Sequence, residues 1–256
     1  PAQRSSALSD PRPAEPLPED RRSPFIRLAE LLAGVEPGRP ALSAAVGEPQ
    51  HAMPAFVGPV LAEKLAGFGR YPRAEGTPRF RAAAADWLAR RYELARPLDP
   101  DTEVLALNGS REGLFSAAIV AGRLKAAKQD LGGARPVMLL PNPFYAAYAA
   151  GAEAAGCEAM VVPTTKESGW LPDLSALSHD LLDRTAAIFL ASPANPQGAI
   201  APKAYLAELL ALARRHGAYL FSDECYSGIC RGAEKRAGIL EVAGADRTGA
   251  LAFNSL

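Results

Sequence analysis

Two acidic residues, Asp223 and Glu224, follow an apolar run that ends at Phe221, and Tyr226 comes shortly after them. A carboxylate at the end of a buried strand loses water and therefore needs a partner. A helix cap, a salt bridge or a metal ion would each satisfy it. A bound ligand would satisfy it as well, and Tyr226 would then bring an aromatic hydroxyl to the same place.

A second polar segment follows the apolar run Ala186–Ala191 and contains two X-Pro bonds in five residues: Ser192, Pro193, Ala194, Asn195 and Pro196. Two prolines at a strand end predict a constrained turn. In this prediction cis bonds are possible at the two X-Pro positions without being the commoner form, and the turn holds Asn195 in one position. Turn chemistry alone is the alternative explanation for the prolines.

A small-residue turn opens a long predicted helix at Ser110. The first turn of a helix has free backbone N–H groups, and the helix dipole favours an anion there. The amides of Ser110 and Arg111 are therefore candidates for holding a phosphate. The competing interpretation makes Ser110 an ordinary N-cap.

Three aromatic residues follow the apolar run Val137–Leu140 closely: Phe144, Tyr145 and Tyr148. An aromatic ring at a strand end is suited to stack on a planar ligand. Ordinary core packing of Phe144 and Tyr148 is the alternative, and we expect it for at least one of them.

The elements that must position these residues alternate between short apolar runs and helical stretches. The runs that we expect to form strands are Val104–Leu107, Val137–Leu140, Met160–Val162, Ala186–Ala191, Ala218–Phe221 and Ala250–Phe253. The helical stretches among them are Ser110–Lys128, Tyr145–Ala155 and Pro202–Arg215. This alternation predicts an α/β fold with a mostly parallel sheet and helices on both faces. Ligands of such sheets bind outside the carboxyl ends of the strands.

The N-terminal part of the chain has a different composition. Residues 1–23 are rich in Pro, Arg, Ser and acidic residues and poor in large apolar ones, so we predict a flexible N-terminal arm. An arm that orders against a partner subunit is the alternative. Ser23 and Pro24 predict a helix start, and the apolar spacing predicts a short amphipathic helix that ends at Gly34. Helical periodicity returns in two stretches, Val57–Leu65 and Phe80–Tyr92.

Composition narrows the class of protein. The chain has 256 residues with 28 basic and 28 acidic side chains, so no net field attracts nucleic acid or an anionic membrane. Three cysteines without framework spacing predict free thiols in a reducing cytoplasm, and the scattered histidines argue against a zinc site. The sequence has no run of about 20 apolar residues and no signal-peptide pattern, so we expect a cytoplasmic protein.

The four polar segments occur in a fixed order. The chain reads G-S-x-E from Gly109, P-x-P-x-Y-x-x-Y from Pro141, S-P-x-N-P-x-G from Ser192 and D-E-x-Y from Asp223. This ordered set resembles the class I/II aminotransferases of fold type I, which use pyridoxal 5'-phosphate (PLP). Two earlier segments fit the same pattern, at residues 47–49 and 71–76. The resemblance covers residues 24–256, and the ordered set is far more specific than any one of its motifs.

The resemblance implies a fold and a division of the chain. It implies a three-layer large domain with a mostly parallel seven-stranded sheet that holds PLP, and a small domain that is largely missing. Residues 1–23 would then be the arm, residues 24–46 the N-terminal part of the small domain, and residues 47–256 the PLP-binding domain. It also implies a homodimer with shared active sites that acts on an amino acid and a 2-oxo acid.

The resemblance assigns roles around the cofactor ring. Asp223 would pair with the pyridine nitrogen of PLP and keep it protonated. Glu224 would have a structural role. Asn195 and Tyr226 would hydrogen-bond to the phenolic oxygen of the ring, and Tyr145 would stack on the ring. Asp223, Tyr226 and Asn195 are the predicted catalytic residues.

The resemblance also assigns residues to the phosphate and the substrate. The amides of Ser110 and Arg111 and the hydroxyl of Ser255 would hold the phosphate. Tyr71 would reach the phosphate of the neighbouring subunit. Gly47 would lie where the substrate carboxylate passes.

The family's Schiff-base lysine, which also moves the proton, is absent from this chain. In the family pattern S-[LF]-S-K, which begins here at Ser255, that lysine would be residue 258. None of the six lysines follows an apolar strand in a matching motif; Lys166 comes closest, but its segment has the pattern of a solvated loop. We therefore expect that the 256-residue chain does not catalyse transamination.

The substrate implied by the resemblance is specific. The segments at residues 47–51 and 108–115 are most similar to those of bacterial succinyldiaminopimelate aminotransferases, which implies transfer between N-succinyl-LL-2,6-diaminopimelate and 2-oxoglutarate in lysine biosynthesis.

Three alternatives stay open: another fold-type I PLP enzyme such as a C–S β-lyase, a non-catalytic module that binds PLP or a partner without the lysine, and a nucleotide-binding α/β domain. The last one lacks the G-x-G-x-x-G and G-K-[ST] signatures.

Overall fold

The structure, a computed structural model, describes residues 14–17, 22–40, 51–229 and 237–255. The chain separates into two compact units. The smaller unit is Asp20–Gly76, and the larger unit combines Pro1–Glu19 with Thr77–Leu256. The domain division implied by the resemblance, with a boundary at residue 47, stays a prediction.

The smaller unit contains helices α1 (Pro24–Leu32) and α2 (Val57–Glu63) and a 3-10 helix at Leu65–Gly69. Helix α1 begins where the sequence predicts, because the Ser23 hydroxyl oxygen accepts a hydrogen bond from the Phe25 N–H at 3.3 Å and a proline stands at the first helical position. After its end, Gly34 adopts a φ of +79°, a conformation that glycine tolerates best. Local sequence therefore accounts for both ends of α1.

The larger unit is built on one six-stranded sheet in the order β1-β3-β2-β4-β5-β6. Its strands are Glu15–Pro16 (β1), Val137–Asn142 (β2), Glu158–Pro163 (β3), Thr185–Ala191 (β4), Tyr219–Asp223 (β5) and Ala250–Phe253 (β6). Strand β1 is antiparallel to β3, and the other neighbours are parallel. The predicted α/β fold with a mostly parallel sheet is confirmed. The described residues contain six strands, where the resemblance implies seven.

Six helices accompany this sheet: Pro78–Tyr92 (α3), Ser110–Lys128 (α4), Ala146–Ala154 (α5), His179–Arg184 (α6), Lys203–Arg215 (α7) and Ile239–Ala243 (α8). The sequence predicts α4 with the same ends, and α3, α5 and α7 within two residues at either end. It does not predict α6 and α8, which are too short to show a helical period. No helix in the described part of the chain is both long and apolar enough to cross a bilayer.

Two apolar cores cover the two faces of the sheet. One, here called the α7 core, includes Ile188, Leu206, Leu209, Leu220 and Ile239. The other, here called the α5 core, includes Leu114, Tyr148, Phe189, Phe221 and Phe253. Neighbouring residues of β5 and of β4 fall into different cores because successive side chains of a strand point to opposite faces. The parallel strands are thus buried on both sides, as in other doubly covered sheets.

Helix α5 packs closely on α4 through a glycine. A Cβ atom at Gly151 would lie 3.0 Å from the Cβ of Ala118 and 3.2 Å from the Cα of Phe115. Any side chain larger than hydrogen would push the two helices apart, so glycine permits this approach. The contact matters for the site because Tyr145 and Tyr148 lie at the start of α5.

Two segments differ from expectation. The predicted strand Val104–Leu107 is wrong: the run pairs with no strand in the described residues, and Leu105 and Leu107 are exposed. An apolar run becomes a strand only where a neighbouring backbone supplies hydrogen bonds. Within the predicted flexible arm, Glu15–Pro16 pairs with β3, so this part of the arm orders against the sheet of its own chain.

Candidate active site

The ends of β4, β5 and β6 meet at one edge of the sheet because the three strands are parallel. Ala191 of β4 pairs with Asp223 of β5, which pairs with Phe253 of β6. Two hydrogen bonds continue this ladder past the strands: the Ser192 N–H donates to the Asp223 carbonyl at 3.0 Å, and the Glu224 N–H donates to the Phe253 carbonyl at 2.8 Å. The polar segments after β4 and β5 are therefore neighbours in space.

Asp223 is half-buried at this edge, and each of its carboxylate oxygens accepts a hydrogen bond. The Tyr148 hydroxyl donates to Oδ2 at 2.6 Å. The Cys225 backbone N–H donates to Oδ1 at 3.3 Å. A carboxylate offers about four acceptor positions, so Asp223 retains capacity for a donor on a ligand.

Tyr148, one of the three aromatic residues named from the sequence, makes a contact with Asp223 that the sequence does not predict. Its ring packs in the core, as the alternative interpretation expects: it stacks on Phe189 with ring centroids 4.6 Å apart, and the residue is 1% exposed. Its hydroxyl nevertheless reaches Asp223. Burial and then the charge of Asp223 raise the pKa of Tyr148, so the phenol stays neutral and donates. The three-residue spacing from Tyr145 was the only signal in the sequence.

Glu224 lies behind the edge and is 2% exposed. Its carboxyl group accepts hydrogen bonds from the Tyr92 hydroxyl, from the Ser222 hydroxyl at 2.9 Å and from the Ile239 N–H at 2.7 Å. Burial raises the pKa of Glu224, and the hydrogen bonds oppose this rise. The side chain joins α3, β5 and α8, which agrees with the structural role implied for it.

Asn195 and Tyr226 come together from the segments after β4 and β5. The Asn195 Nδ2 lies 3.5 Å from the Tyr226 hydroxyl oxygen, and both side chains are exposed. The turn that carries Asn195 has the predicted cis bonds, before Pro193 and before Pro196. An amide and a phenol are thus presented together, and Tyr226 lies three residues after Asp223.

Tyr145 lies between Arg111 and Tyr148. Its ring meets the Tyr148 ring edge-on, with centroids 5.9 Å apart. The Arg111 Nε donates a hydrogen bond to the Tyr145 hydroxyl oxygen at 2.6 Å, and the guanidinium carbon is 5.8 Å from the centroid of the same ring. These contacts connect the start of α4 with the tyrosine that holds Asp223.

Helix α4 begins at Ser110, with Gly109 in the N-cap position. The interpretation of Ser110 as the N-cap is therefore wrong by one residue. Because Gly109 has no side chain, the first turn of α4 receives no side-chain cap. The Cys225 thiol, in the turn after β5, donates a hydrogen bond to the Phe253 carbonyl at 3.9 Å, and burial and the charge of Asp223 raise the pKa of Cys225 to about 12.

Three other predicted residues are not joined to this group by any described contact. Ser255 is exposed, two residues beyond the end of β6. Tyr71 belongs to the smaller unit and is 98% exposed. Gly47 lies outside the described residues. The roles predicted for these three residues stay predictions.

Within the described ranges, no lysine hydrogen-bonds to Asp223, Asn195 or Tyr226. The buried Lys125 donates to the His216 carbonyl at 2.7 Å, and Lys203 pairs with Glu241 at 2.7 Å. No group of three His, Cys, Asp or Glu side chains among the described residues is arranged to hold a metal ion.

A cavity of about 410 Å³ lies elsewhere in the larger unit, and its lining includes Arg91, Tyr92, Lys203 and Glu241. Asp223, Asn195 and Tyr226 are not among its lining residues. The donors and acceptors at the edge of the sheet are therefore separate from this cavity.

The edge presents four kinds of chemical group. It offers a carboxylate with spare acceptor capacity, an amide beside a phenol, an aromatic ring and an uncapped helix start. A planar heteroaromatic ligand with a basic ring nitrogen, a ring hydroxyl and an anionic arm would match all four.

Comparison with known proteins identifies the family to which this chain is similar. Residues 40–256 match the family model described as aminotransferase class I and II. The LL-diaminopimelate aminotransferase of Desulforudis audaxviator is 34% identical over 235 residues, which cover 91% of this chain and 57% of that protein. The enzyme of the same name from Aquifex aeolicus is 35% identical over 189 residues, which cover 73% of this chain and 45% of that protein.

Solved structures agree with the sequence relatives. An aminotransferase from Neisseria meningitidis superimposes with a TM-score of 0.81 at 33% identity, over 91% of this chain and 58% of that one. An aminotransferase from Helicobacter pylori superimposes with a TM-score of 0.79 at 29% identity, over 91% of this chain and 59% of that one. The chain spans about half the length of these relatives, from 45% to 59%.

Proposed function

Because the chain belongs to the aminotransferase class I and II family, we propose that it holds PLP at the carboxyl edge of its sheet and serves amino-group transfer between an amino acid and a 2-oxo acid. One observation carries the proposal. Asp223 is held by the Tyr148 hydroxyl and the Cys225 N–H at a strand end, and the turn after it brings Tyr226 to Asn195. This donor set fits the polar atoms of PLP.

The carboxylate of Asp223 has the central part in this proposal. When bound, PLP supplies a conjugated ring that draws electrons from the α-carbon of the substrate. Asp223 holds a proton on the pyridine nitrogen through a charge-assisted hydrogen bond, which keeps the ring electron-poor. Its half-buried position strengthens that interaction relative to one in open water.

The side chains of Asn195, Tyr226 and Tyr145 orient the ring. Asn195 and Tyr226 hydrogen-bond to its phenolic oxygen from their shared position. Tyr145 covers one face of the ring and excludes water from it; the contacts of Tyr145 with Arg111 and Tyr148 hold its own ring in place.

The start of α4 holds the phosphate in this proposal. The uncapped amides of Ser110 and Arg111 donate to its oxygens, and the helix dipole favours its charge. Ser255 contributes a hydroxyl from the segment after β6. Tyr71 would reach the phosphate of the neighbouring subunit in a homodimer, and the predicted role of Gly47 is to accommodate the substrate carboxylate.

The proposed substrate class follows from the named relatives. They are LL-diaminopimelate aminotransferases, which supports a diaminopimelate as amino donor, either LL-diaminopimelate or the N-succinyl form implied by the sequence, with 2-oxoglutarate as acceptor in lysine biosynthesis. The free thiols of Cys157 and Cys225 support a cytoplasmic location.

A second candidate is a module that binds PLP without catalysis. Among the described residues, Lys125 and Lys203 bond to groups away from Asp223, Asn195 and Tyr226. Borohydride reduction of the 256-residue chain with PLP is then expected to fix none of the cofactor on a site lysine. Cofactor fixed on a single lysine would contradict that expectation.

Titration of the 256-residue chain with PLP tests the binding step. We expect Asp223→Asn to weaken the affinity about 10- to 100-fold, because it removes one charge-assisted hydrogen bond. Asp246→Asn is the matched control, since Asp246 is exposed and bonds only to local groups and Arg214. Equal affinities for the two variants in equilibrium dialysis would refute the assignment of Asp223.

Product analysis tests the reaction. The protein expressed from the complete reading frame that contains this chain is incubated with 2-oxoglutarate and either LL-diaminopimelate or its N-succinyl form. Glutamate formation supports amino transfer, and the faster donor identifies the substrate. Release of a thiol from a cysteine thioether would support the C–S β-lyase alternative. The codons after Leu256 are informative as well, since the family pattern expects Ser-Lys there.

A further inference from the structure

The hydroxyl of Tyr148 makes a contact that the sequence motifs do not assign. It donates to Oδ2 of Asp223 at 2.6 Å, across 75 positions of the chain. We propose that Tyr148 is a positioning residue that orients Asp223 toward the pyridine nitrogen of the cofactor. The proposal rests on the proposed function, because it gives Asp223 its ligand.

The ring of Tyr148 is held rigidly enough to act as a support. It stacks on Phe189 at 4.6 Å, meets Tyr145 edge-on at 5.9 Å and is almost fully buried. Helix α5, which carries it, is packed closely on α4 through Gly151. A hydroxyl on a fixed ring restricts its acceptor to one rotamer, so Asp223 loses little freedom when a ligand binds.

The chemistry of the contact also suits this role. Burial and the charge of Asp223 keep Tyr148 a neutral donor. The second oxygen of Asp223 is held by the Cys225 N–H, so the carboxylate is fixed at both oxygens. A carboxylate held in this way presents its remaining lone pairs in a fixed direction, which a short charge-assisted hydrogen bond to a ring nitrogen requires.

Tyr205 provides a matched control within the same chain. Its hydroxyl donates to the Pro172 carbonyl at 2.6 Å, its ring packs against the α7 core, and burial raises its pKa as well. Tyr148→Phe and Tyr205→Phe each delete one oxygen and one hydrogen bond of a tyrosine that packs against an apolar core, fully buried at Tyr148 and partly buried at Tyr205. Only the first deletion touches Asp223.

The experiment uses the 256-residue chain and PLP labelled with 15N in the pyridine ring. We expect Tyr148→Phe to weaken PLP binding about tenfold and to move the 15N resonance toward that of an unprotonated pyridine. We expect Tyr205→Phe to leave both quantities at the wild-type values. In the ligand-free chain, the 13C resonance of the Asp223 carboxyl group, assigned with Asp223→Asn, shifts in Tyr148→Phe only.

The outcomes separate the two proposals. If the wild-type chain binds PLP while Tyr148→Phe matches Tyr205→Phe in affinity and in 15N shift, the role of Tyr148 is refuted and the proposed function stands. If the wild-type chain does not bind PLP, the proposed function of the chain fails and the role of Tyr148 falls with it. If Tyr148→Phe does not fold, 3-fluorotyrosine at position 148 keeps the ring and strengthens the donor; an unchanged 15N shift would then refute the role.

Discussion

Two tyrosine–carboxylate pairs lie side by side in this molecule, and they differ in what they leave open. Tyr148 donates to Asp223, and Tyr92 donates to the next residue, Glu224. Glu224 is fully buried and accepts three hydrogen bonds from the protein. Asp223 is half-buried and accepts two.

The difference in burial and in hydrogen bonding leaves Asp223, but not Glu224, with acceptor positions that a ligand could use. Three donors and complete burial leave Glu224 no room for a further partner, so its hydrogen bonds contribute to stability alone. Asp223 has fewer donors and partial access to solvent, so part of its acceptor capacity is free for a ligand. Adjacent residues of the same chemical type thus differ in burial and in the number of donors around them.

The largest expected effect is on stability. Glu224→Ala leaves three donors without an acceptor, two of them on Tyr92 and Ser222, and we expect the free energy of unfolding to fall by about 3 kcal/mol or more. Asp223→Ala leaves two donors without an acceptor, and we expect it to lower the free energy of unfolding by only about 1 kcal/mol, because Asp223 is half-buried and water replaces part of the loss. Urea unfolding of both variants measures the difference. Equal losses would mean that the two carboxyl groups do not differ as described.

The second largest effect is expected in the pH dependence of stability, which involves Glu224 of the Tyr92–Glu224 pair. Burial raises the pKa of Glu224 above its ordinary value of 4.5, so the folded state binds more protons than the unfolded state above that pH. Stability therefore falls as pH rises from about 4.5 through the folded pKa, by up to about 1.4 kcal/mol per pH unit. Glu224→Gln is expected to remove this slope in urea unfolding measured between pH 4.5 and 8. A slope that the variant retains would have to come from another group.

Replacing each tyrosine by phenylalanine is expected to give a smaller effect, which differs between the two pairs in PLP affinity. Tyr92→Phe removes one hydrogen bond to Glu224, and we expect it to lower the free energy of unfolding by about 1–2 kcal/mol while PLP affinity is unchanged. Thermal unfolding and PLP titration on the same sample measure both quantities. A loss of PLP affinity as large as that of Tyr148→Phe would show that the two pairs act as one unit.

The smallest expected effect comes from a carboxylate outside both pairs. Glu103 pairs with Arg96 and Arg247, and the hydrogen bond from Arg96 is the largest cause that lowers its pKa to about 2. Its contribution is present above pH 4.5 and is lost as pH falls toward 2, the opposite sense to Glu224. Allowing for solvent screening, we expect Glu103→Gln to cost about 1 kcal/mol at pH 7 and only a small part of that at pH 2, where the folded carboxyl group is partly protonated. Urea midpoints at the two pH values check this.

Much of the fold was predictable because its signals are local. The Ser23 cap with its proline starts α1, the glycine before Ser110 starts α4, and the two prolines around Asn195 fix a turn. The apolar runs gave five of the six strands. These features depend on residues within a few positions of one another, which a single sequence displays directly.

What the sequence did not reveal depends on distant residues. Tyr148 meets Asp223 across 75 positions, and Tyr92 meets Glu224 across 132. No local pattern marks such pairs, because they exist only once the sheet has brought its strands together. The apolar run Val104–Leu107 failed for the same reason: its composition suits a strand, but a strand also needs a partner that local sequence does not specify.

Successive side chains of β5 point to opposite faces of the sheet. The number of residues in this strand is therefore as important at its end as the types of those residues. Phe221 and Asp223 share a face of the strand because two positions separate them, and Glu224 takes the other side with Ser222. Insertion or deletion of a single residue within β5 would carry Asp223 to the side now filled by Glu224 and bring its neighbour toward Tyr148. The site at this edge therefore depends on the register of β5 as well as on the identity of its two acids.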